Sequence, residues 1–596
     1  MHHHARLVHG MWWLAAAVCL TAVSSVAAED RPNVLLIMAD DQGWGDVTLH
    51  GNDVIETPTM DALARSGAQF DRFYACPMCG PTRAALLTGR WNLRSGASWV
   101  SHGKEIVRLD ETTIGDVFSN AGYATGAFGK WHNGEYGPYH PNARGFDQFV
   151  GFCRGAWENY FDAVIERNRQ PLQTKGYITD VLTDAAIDFM EANRDRPFLC
   201  YVPYNAPHHP FQVPKKYFDK YRQRTDSEKM AAVYGMVENI DDNLARLLAT
   251  LDELEIADNT IVIYTSDNGP AQPRYNGGMR GIKASVDEGG TRVPMFVRYP
   301  GHVPPGTIVK PIASHIDLLP TLASWCDVPF NAEKPIDGKD LTPLLEGKRA
   351  EWPDRMVFTH QNRLGETMMT PGGVRTEQYR LVHRGPKGDG YELYDMLADP
   401  GQAQDIADDQ PEVTTRLMTA YEAWYREVTT RGTDPPPLPV GYEPADETAL
   451  QAEDARLSDG LQFYRKQGWA HDSILNWTSS DDTATWQIDV LQEGTYEIEL
   501  MIGCGPQDLG ATVTVNVANQ SVTAKLTTPH EPLPALEKGK DRNAIWTSGP
   551  VPTMTWLPLE LPSVQLETGI QVLRVSVDGI EAGSRFELKE VRLCKR

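Results

Sequence analysis

Between residues 33 and about 325 the chain alternates short apolar, β-branched runs with amphipathic stretches of helical period, and no other feature restricts its fold as much. NVLLIMA (33–39), PFLCYV (197–202), TIVIYTS (260–266) and VPMFVRY (293–299) have the length and composition of strands buried on both faces. TPTMDALARSGA (57–68) and TTIGDVFSNAGY (112–123) carry Thr or Asp near the start and Gly near the end, as capped helices do. The alternation predicts an α/β domain around a mostly parallel sheet, over residues 29–344.

The pattern then changes twice. RMVFTH, YRLVHR and YELYDM read as short strands before a helix PEVTTRLMTAYEAWYREV, which predicts a small antiparallel subdomain over 345–433. DPPPLPVGYEPADE (434–447) has the composition of a stiff linker. Beyond it, TATWQIDVLQEGTYEIELMIG and IQVLRVSVDGI alternate apolar and polar residues around Gly-containing turns, the pattern of a β-sandwich over 448–596. A chain of 596 residues is too long for one core, in keeping with several domains. No internal repeat is visible.

Residues 1–28 read as an export signal: Arg6 in a polar lead, a short apolar run broken by Thr and Ser, and Val26, Ala27 and Ala28 before Glu29. A transmembrane anchor fits that short run less well, and Val18 before Cys19 argues against a lipoprotein signal. With no second long apolar run, the mature protein is expected to be periplasmic or extracellular, without an integral membrane segment. Of the eight cysteines, seven remain after cleavage, an odd count that no all-disulfide scheme satisfies. The formal charge of −24, with no compensating basic stretch, argues against a nucleic-acid partner. An anionic substrate therefore needs positive charge built into its own site. The sequence carries no reading of oligomeric state.

Polar clusters follow two of the expected strands. Asp40 and Asp41 in LLIMADDQGWGD, and Asp267 and Asn268 in IVIYTSDNG, stand just after their strands. Ligands gather at the carboxyl ends of strands in parallel sheets. Each cluster alone reads as a turn or helix cap. Together, three carboxylates and an amide oxygen form a hard oxygen set suited to Ca²⁺ or Mg²⁺ and unsuited to zinc. Lys130 and His132 in FGKWHNG, His208 and His209 in NAPHHPFQVP, and Lys283 in GIKASVDEGGTRVP are candidate cationic or acid–base groups, although a lone Lys or His is commonly structural.

CPMCGPTRAALLTGR (76–90) poses the sharpest question. Pro81 fits the first turn of a helix and sets Cys79 at its N-terminus, where free amides favour anions and a thiol is expected to be acidified. Three readings compete: a redox CxxC pair, a Cys/His nucleophile, and a modified cysteine. The α/β unit with its carboxylates is not a thioredoxin-like context, and a hard-oxygen metal beside a thiolate has little purpose.

Cys79-x-Pro81-Thr82-Arg83 followed by LLTGR is similar to the signature of type I sulfatases, in which the cysteine is oxidised to Cα-formylglycine. Ser is usual where Thr82 stands, a departure that bears on recognition by the maturating enzyme. NVLLIMADDQGWGD, GYATGAFGKWH, RGFDQFVGF, APHHPFQVP, VIYTSDNG, KASVDEGGTRVPMFVRYPG and YELYDMLADP resemble sulfatase segments in family order, over roughly residues 31–430. The resemblance implies an alkaline-phosphatase-like α/β fold, a formylglycine-generating or other maturating enzyme as partner, and one bound Ca²⁺ held by Asp40, Asp41, Asp267, Asn268 and residue 79. It implies that Arg83 and Lys130 hold the formylglycine hydrate, His132 acts on its second hydroxyl, and His208 and Lys283 bind the sulfate and assist the leaving oxygen. Conversion of Cys79 would leave six cysteines.

The expected activity is hydrolysis of a sulfate monoester on a carbohydrate. Export supports that substrate class, as does the appended sandwich, whose pattern and Trp486 resemble galactose-binding-like or carbohydrate-binding-like modules; the sandwich alternatively packs on the catalytic domain or mediates assembly. Phosphate or phosphonate ester hydrolysis on the same fold, and non-catalytic binding of a sulfated glycan, are the alternatives. Arg154 and Trp157 in GFCRGAWENYF, and His360 and Arg363 in THQNRLGETMMTPGG, are candidates for gripping a sugar.

Overall fold

The structure is a computed structural model that describes residues 31–329, 334–347, 352–362, 367–385, 388, 390–445, 447–532 and 554–596. The expected export signal and Arg363 lie outside the described residues. Among the described residues no helix is long and apolar enough to cross a membrane.

Six strands frame the catalytic unit: β1 (Asn33–Ala39), β2 (Ala124–Lys130), β3 (Gln148–Phe152), β4 (Phe198–Pro203), β5 (Thr260–Ser266) and β6 (Met295–Arg298). They lie in a ten-stranded sheet in the order β6-β5-β1-β4-β2-β3, with further strands beyond both ends. From β5 to β3 every pairing is parallel, and β6 joins antiparallel to β5. The fold is thus α/β with a mostly parallel central sheet. Because β1 is buried on both faces, its side chains alternate between two cores: Leu35, Ile37 and Ala39 enter one, Val34, Leu36 and Met38 the other. Helices Ile178–Ala192 and Glu228–Glu253 cover the first face.

VPMFVRY does not form one continuous strand. Pro294 interrupts it between Arg292–Val293 and Met295–Arg298, as a residue without an N–H must in a ladder. The following subdomain is an antiparallel sheet of four strands, Val357–His360, Gly372–Arg375, Tyr379–His383 and Glu392–Asp395. Helix Pro411–Val428 buries Leu417, Tyr421, Trp424 and Val428 beside it. Gly372–Arg375 lacked a strand signal because two of its four residues are glycine.

The C-terminal region forms two six-stranded sheets around one core. The segment 434–447 is not merely a linker: Leu438–Val440 pairs in parallel with Thr483–Val490, so the sandwich begins inside it. Trp486 is buried in that core with its Nε1 donating to the Gln451 carbonyl at 2.7 Å, which makes it a packing residue and not a sugar platform. Ile106, Tyr136 and Tyr139 of the catalytic unit belong to the same core, so the sandwich is docked onto the catalytic unit through continuous apolar packing.

Candidate active site

Helix α1 (Cys79–Thr88) begins directly after the extended Met78, and every one of its residues is buried. The Thr82 hydroxyl lies 3.2 Å from the Cys76 carbonyl and 3.0 Å from that of Met78, tying down the turn that precedes the helix. Cys79 and Arg83 stand four residues apart, hence on one helix face. Arg83 reaches across the sheet ends. Its Nε and a terminal nitrogen donate to Asp267 Oδ2 at 3.1 and 2.8 Å, and its other terminal nitrogen donates to the Lys130 carbonyl at 2.7 Å.

Three neighbouring strand ends supply the rest. Lys130, closing β2, places Nζ 2.6 Å from Asp40 Oδ2, just past β1. This approach requires a glycine at 129, where a Cβ would come within 2.0 Å of the Pro203 carbonyl oxygen and where φ is +146°. Lys283 Nζ lies 2.6 Å from Asp41 Oδ1, Asn268 Nδ2 donates to the same oxygen at 2.7 Å, and His208 Nε2 stands 3.8 Å from Asp41 Oδ2. Asp41 and His132 both have left-handed backbones, with φ of 67° and 64°, a costly conformation for residues with side chains. The structure therefore brings together Asp40, Asp41, Cys79, Arg83, Lys130, His208, Asp267, Asn268 and Lys283. His132 borders the cluster, its Cε1 3.6 Å from where a Cβ on Gly80 would sit.

The donor set fits a hard cation. Asp40 Oδ1, Asp41 Oδ2 and Asn268 Oδ1 are all buried with no hydrogen-bond partner, a cost that proteins rarely accept without a ligand. One ligand atom each from Asp40, Cys79 and Asp267 lies within 4.8 Å of the others. Charge agrees: Asp40, Asp41 and Asp267 carry three negative charges against three positive on Arg83, Lys130 and Lys283, so the formal sum is zero. A neutral cluster does not hold an anion firmly, whereas a divalent ion makes it doubly positive. Asp40, Asp41 and His208 form a second such trio in the same cluster, whereas a third, His140, Cys153 and Glu166, fits a metal poorly. His140 Nδ1 accepts from the Asn142 N–H at 3.2 Å, so Nε2 keeps its proton for Glu166 and has no lone pair to offer.

Burial pushes the Asp40 carboxyl up, but Lys130 and Arg83 outweigh it and hold it down at about 2. Burial and then the Asp40 charge push Asp267 up, to about 7, despite its two contacts with Arg83. Burial also pushes the Cys79 thiol up, more than Lys130 and Lys283 lower it, which corrects the expectation of an acidified thiol at the helix N-terminus. Burial, then Lys130, keeps His132 neutral well below its usual range. Its Nε2 lies 3.0 Å from the Val100 carbonyl, leaving Nδ1 buried and without a partner. Burial, then His209, keeps His208 neutral as well, with Nδ1 donating to the His209 carbonyl at 2.7 Å.

Cys76 is no redox partner: it is buried, forms no disulfide, and lies 3.4 Å from His315 Nε2. Among the sugar-gripping candidates, Arg154 and Trp157 line a cavity of about 730 Å³ between catalytic unit and sandwich. His360 does not join them: it is buried with Nε2 2.8 Å from the Met368 carbonyl and packs near Tyr425. Asn205 was not anticipated. It is buried beside His208, its carbonyl accepting from the His208 N–H at 3.2 Å, and both polar atoms of its side chain lack partners. Its position just past a parallel strand was the available signal.

The sulfatase family model matches residues 32–328. Over 396 residues the chain is 32% identical to the N-acetylgalactosamine-6-sulfatase of Sus scrofa, covering 60% of this chain and 73% of that relative. The chain belongs to the sulfatase family. It is accordingly a sulfuric ester hydrolase. A second model, that of the N-sulphoglucosamine sulphohydrolase C-terminal region, matches residues 283–423 of this sulfatase, across the small antiparallel subdomain. Among solved structures, Ps i-CgsB resembles it at 29% identity and a TM-score of 0.64, covering 68% of this chain and 94% of the other. Ps i-CgsB in complex with k-i-k-neocarrahexaose gives 28% identity and a TM-score of 0.63, with the same coverage.

Proposed function

We propose that this sulfatase hydrolyses a sulfate monoester on a sulfated carbohydrate outside the cytoplasm, through a Cα-formylglycine derived from Cys79 and with a bound calcium ion. The observation that carries the chemistry is the position of residue 79: it opens a buried helix, faces Arg83, and shares its surroundings with Lys130, Lys283 and three partnerless acceptor oxygens. The raised thiol disfavours direct use of sulfur as nucleophile. Support for the carbohydrate comes from the names and ligands of relatives, an N-acetylgalactosamine-6-sulfatase and a protein crystallised in complex with k-i-k-neocarrahexaose.

An aldehyde hydrate at position 79 supplies a nucleophilic oxygen and, beside it, a second hydroxyl whose deprotonation releases sulfate. Asp40, Asp41, Asp267 and the Asn268 amide oxygen would hold calcium, which supplies the positive charge that the cluster lacks. Lys130 and Arg83 keep Asp40 ionised and fix the reacting residue between them. Neutral His132, bound at Nε2 to the Val100 carbonyl, has a free lone pair at Nδ1 to take the proton of the second hydroxyl. His208 keeps its only proton on Nδ1 against His209, so its Nε2 has no proton to give the leaving oxygen. Lys283, whose side chain is 15% exposed against 0% for Lys130, stands at the mouth as the donor that stabilises the negative leaving oxygen.

Three measurements test this. Sulfate release from a panel of sulfated galactan and glycosaminoglycan oligosaccharides should identify a substrate, and nitrophenyl phosphate should be turned over more slowly than nitrophenyl sulfate; the reverse preference favours a phosphoryl or phosphonyl substrate. Mass spectrometry of the tryptic peptide from Phe73 to Arg83, in protein from its native host, should show loss of sulfur at residue 79. Intact cysteine in fully active protein defeats the formylglycine reading. Chelation should abolish activity and calcium restore it, and activity in metal-free protein rules the ion out.

A further inference from the structure

The cavity of about 730 Å³ is bounded by Phe152, Arg154 and Trp157 on the catalytic unit and by His471, Trp556 and Glu590 on the sandwich. Part of its wall on the catalytic unit comes from the segment 153–159, which lies in the chain between His132 and His208. At one end Gly155 lies so close to His132 that a Cβ would come 2.5 Å from Nε2. At the other, Tyr160 takes up the loop that carries His208, its hydroxyl 3.1 Å from the His208 carbonyl. A second gap of about 30 Å³, bordered by His132, shares Glu135, Cys153 and Arg154 with the cavity. One face of this segment therefore serves the reaction centre while the other faces the sandwich.

His471 of the sandwich fixes that segment. Its Nε2 lies 3.1 Å from the Ala156 carbonyl, its Nδ1 lies 3.1 Å from an Arg154 guanidinium nitrogen, and its ring meets Trp157 edge-on at 5.0 Å. Donating at one nitrogen and accepting at the other is the pattern of a neutral imidazole.

The cations on the wall are already engaged. Arg154 pairs with Glu135 at 2.9 Å and Glu590 at 3.9 Å, Arg592 pairs with Glu590 at 2.7 Å, Lys589 donates to the Asp472 carbonyl at 3.0 Å, and Arg169 donates to the Gly137 carbonyl at 2.9 Å. None is held in reserve for a sulfate group, and additional carboxylates on the wall repel one. Carboxylates do accept hydrogen bonds from hydroxyls, and Trp556 and Trp157, the latter with one face stacked on Phe152 at 4.9 Å, add apolar aromatic surface to the lining. The volume is within the range of small-molecule sites. We propose that this cavity is a sugar-binding subsite, built jointly by catalytic unit and sandwich, that takes an uncharged sugar residue of the same chain whose sulfate ester reacts at residue 79. The inference rests on the carbohydrate-sulfatase reading and gives the sandwich a part in substrate selection.

The test uses the full mature chain carrying Cys79→Ser, which keeps the ester intact, with titration calorimetry. The probes are galactan, glucosamine-containing and galactosamine-containing hexasaccharides, each sulfated and desulfated, and the sulfated monosaccharides. At least one desulfated hexasaccharide should bind. Trp157→Ala and Trp556→Ala, one on each wall, should each weaken that hexasaccharide about tenfold or more, and weaken the sulfated monosaccharides far less. Absence of binding by every desulfated hexasaccharide overturns the subsite, as does an equal loss for hexasaccharide and monosaccharide. If a desulfated hexasaccharide binds through both tryptophans but the unsubstituted enzyme releases sulfate from no saccharide, the subsite stands and the carbohydrate-sulfatase reading fails.

Discussion

Cys79 holds the first position of a buried helix, where peptide dipoles favour a thiolate and burial opposes one, and burial is the stronger effect. The motif around it was fully legible as sequence, but the sign of that balance was not, because desolvation depends on what the rest of the chain places over the site. The same holds for Asp40, whose charge depends on Lys130, ninety residues away. Removing that partner leaves a buried carboxylate compensated by Arg83, at 3.7 Å, and by the charge of Lys283. Lys130→Ala is therefore expected to cost about 3 kcal/mol in denaturant unfolding, toward the low end of such losses because Arg83 remains. A change under about 1 kcal/mol would show that Arg83 and Lys283 together satisfy Asp40.

At the scale of elements, local signals located the frame well. Thr260–Ser266, Asn33–Ala39 and helix Pro411–Val428 have the boundaries their patterns indicate. The signals failed where a neighbour, not the local run, sets the structure: at Pro294, at the glycine-rich strand Gly372–Arg375, and at Leu438–Val440, which becomes a strand only because Thr483–Val490 is there to pair with it. The segment 153–159 belongs to this class. Gly155→Ala should push the His132 ring from its place while leaving the sheet intact, since the clash is with one side chain. We expect kcat for a sulfate ester to fall between about tenfold and a hundredfold, with little change in the thermal midpoint. Unchanged kcat would mean that the imidazole moves without consequence.

Across the whole molecule, the docked sandwich buries acids that no single domain would bury. Glu105, Glu135, Glu453 and Asp454 gather where the two units meet. Burial, then Glu453, pushes Asp454 up to about 8, while its ordinary value is 3.8. Between those values the folded chain keeps a proton that the unfolded chain releases, so this group makes the fold less stable as pH rises from about 4 to 8. Asp454→Asn keeps an oxygen for the Tyr136 hydroxyl, now 2.5 Å from Asp454 Oδ2, and removes the titration. Its thermal midpoint should exceed that of the unsubstituted protein at pH 8, with the gain shrinking towards pH 5. A gain independent of pH would place its origin in packing.

The sequence by itself determined the α/β alternation, the strand-end carboxylates and the residue-79 motif, because these are short-range patterns that chain chemistry repeats wherever they occur. Only the tertiary structure decided which of those groups face one another and carry charge, that His360 and Trp486 are packing residues, and that the sandwich forms a wall of the cavity beside the active site. Those outcomes depend on burial and on pairs far apart in the chain, and neither quantity is a property of any local stretch.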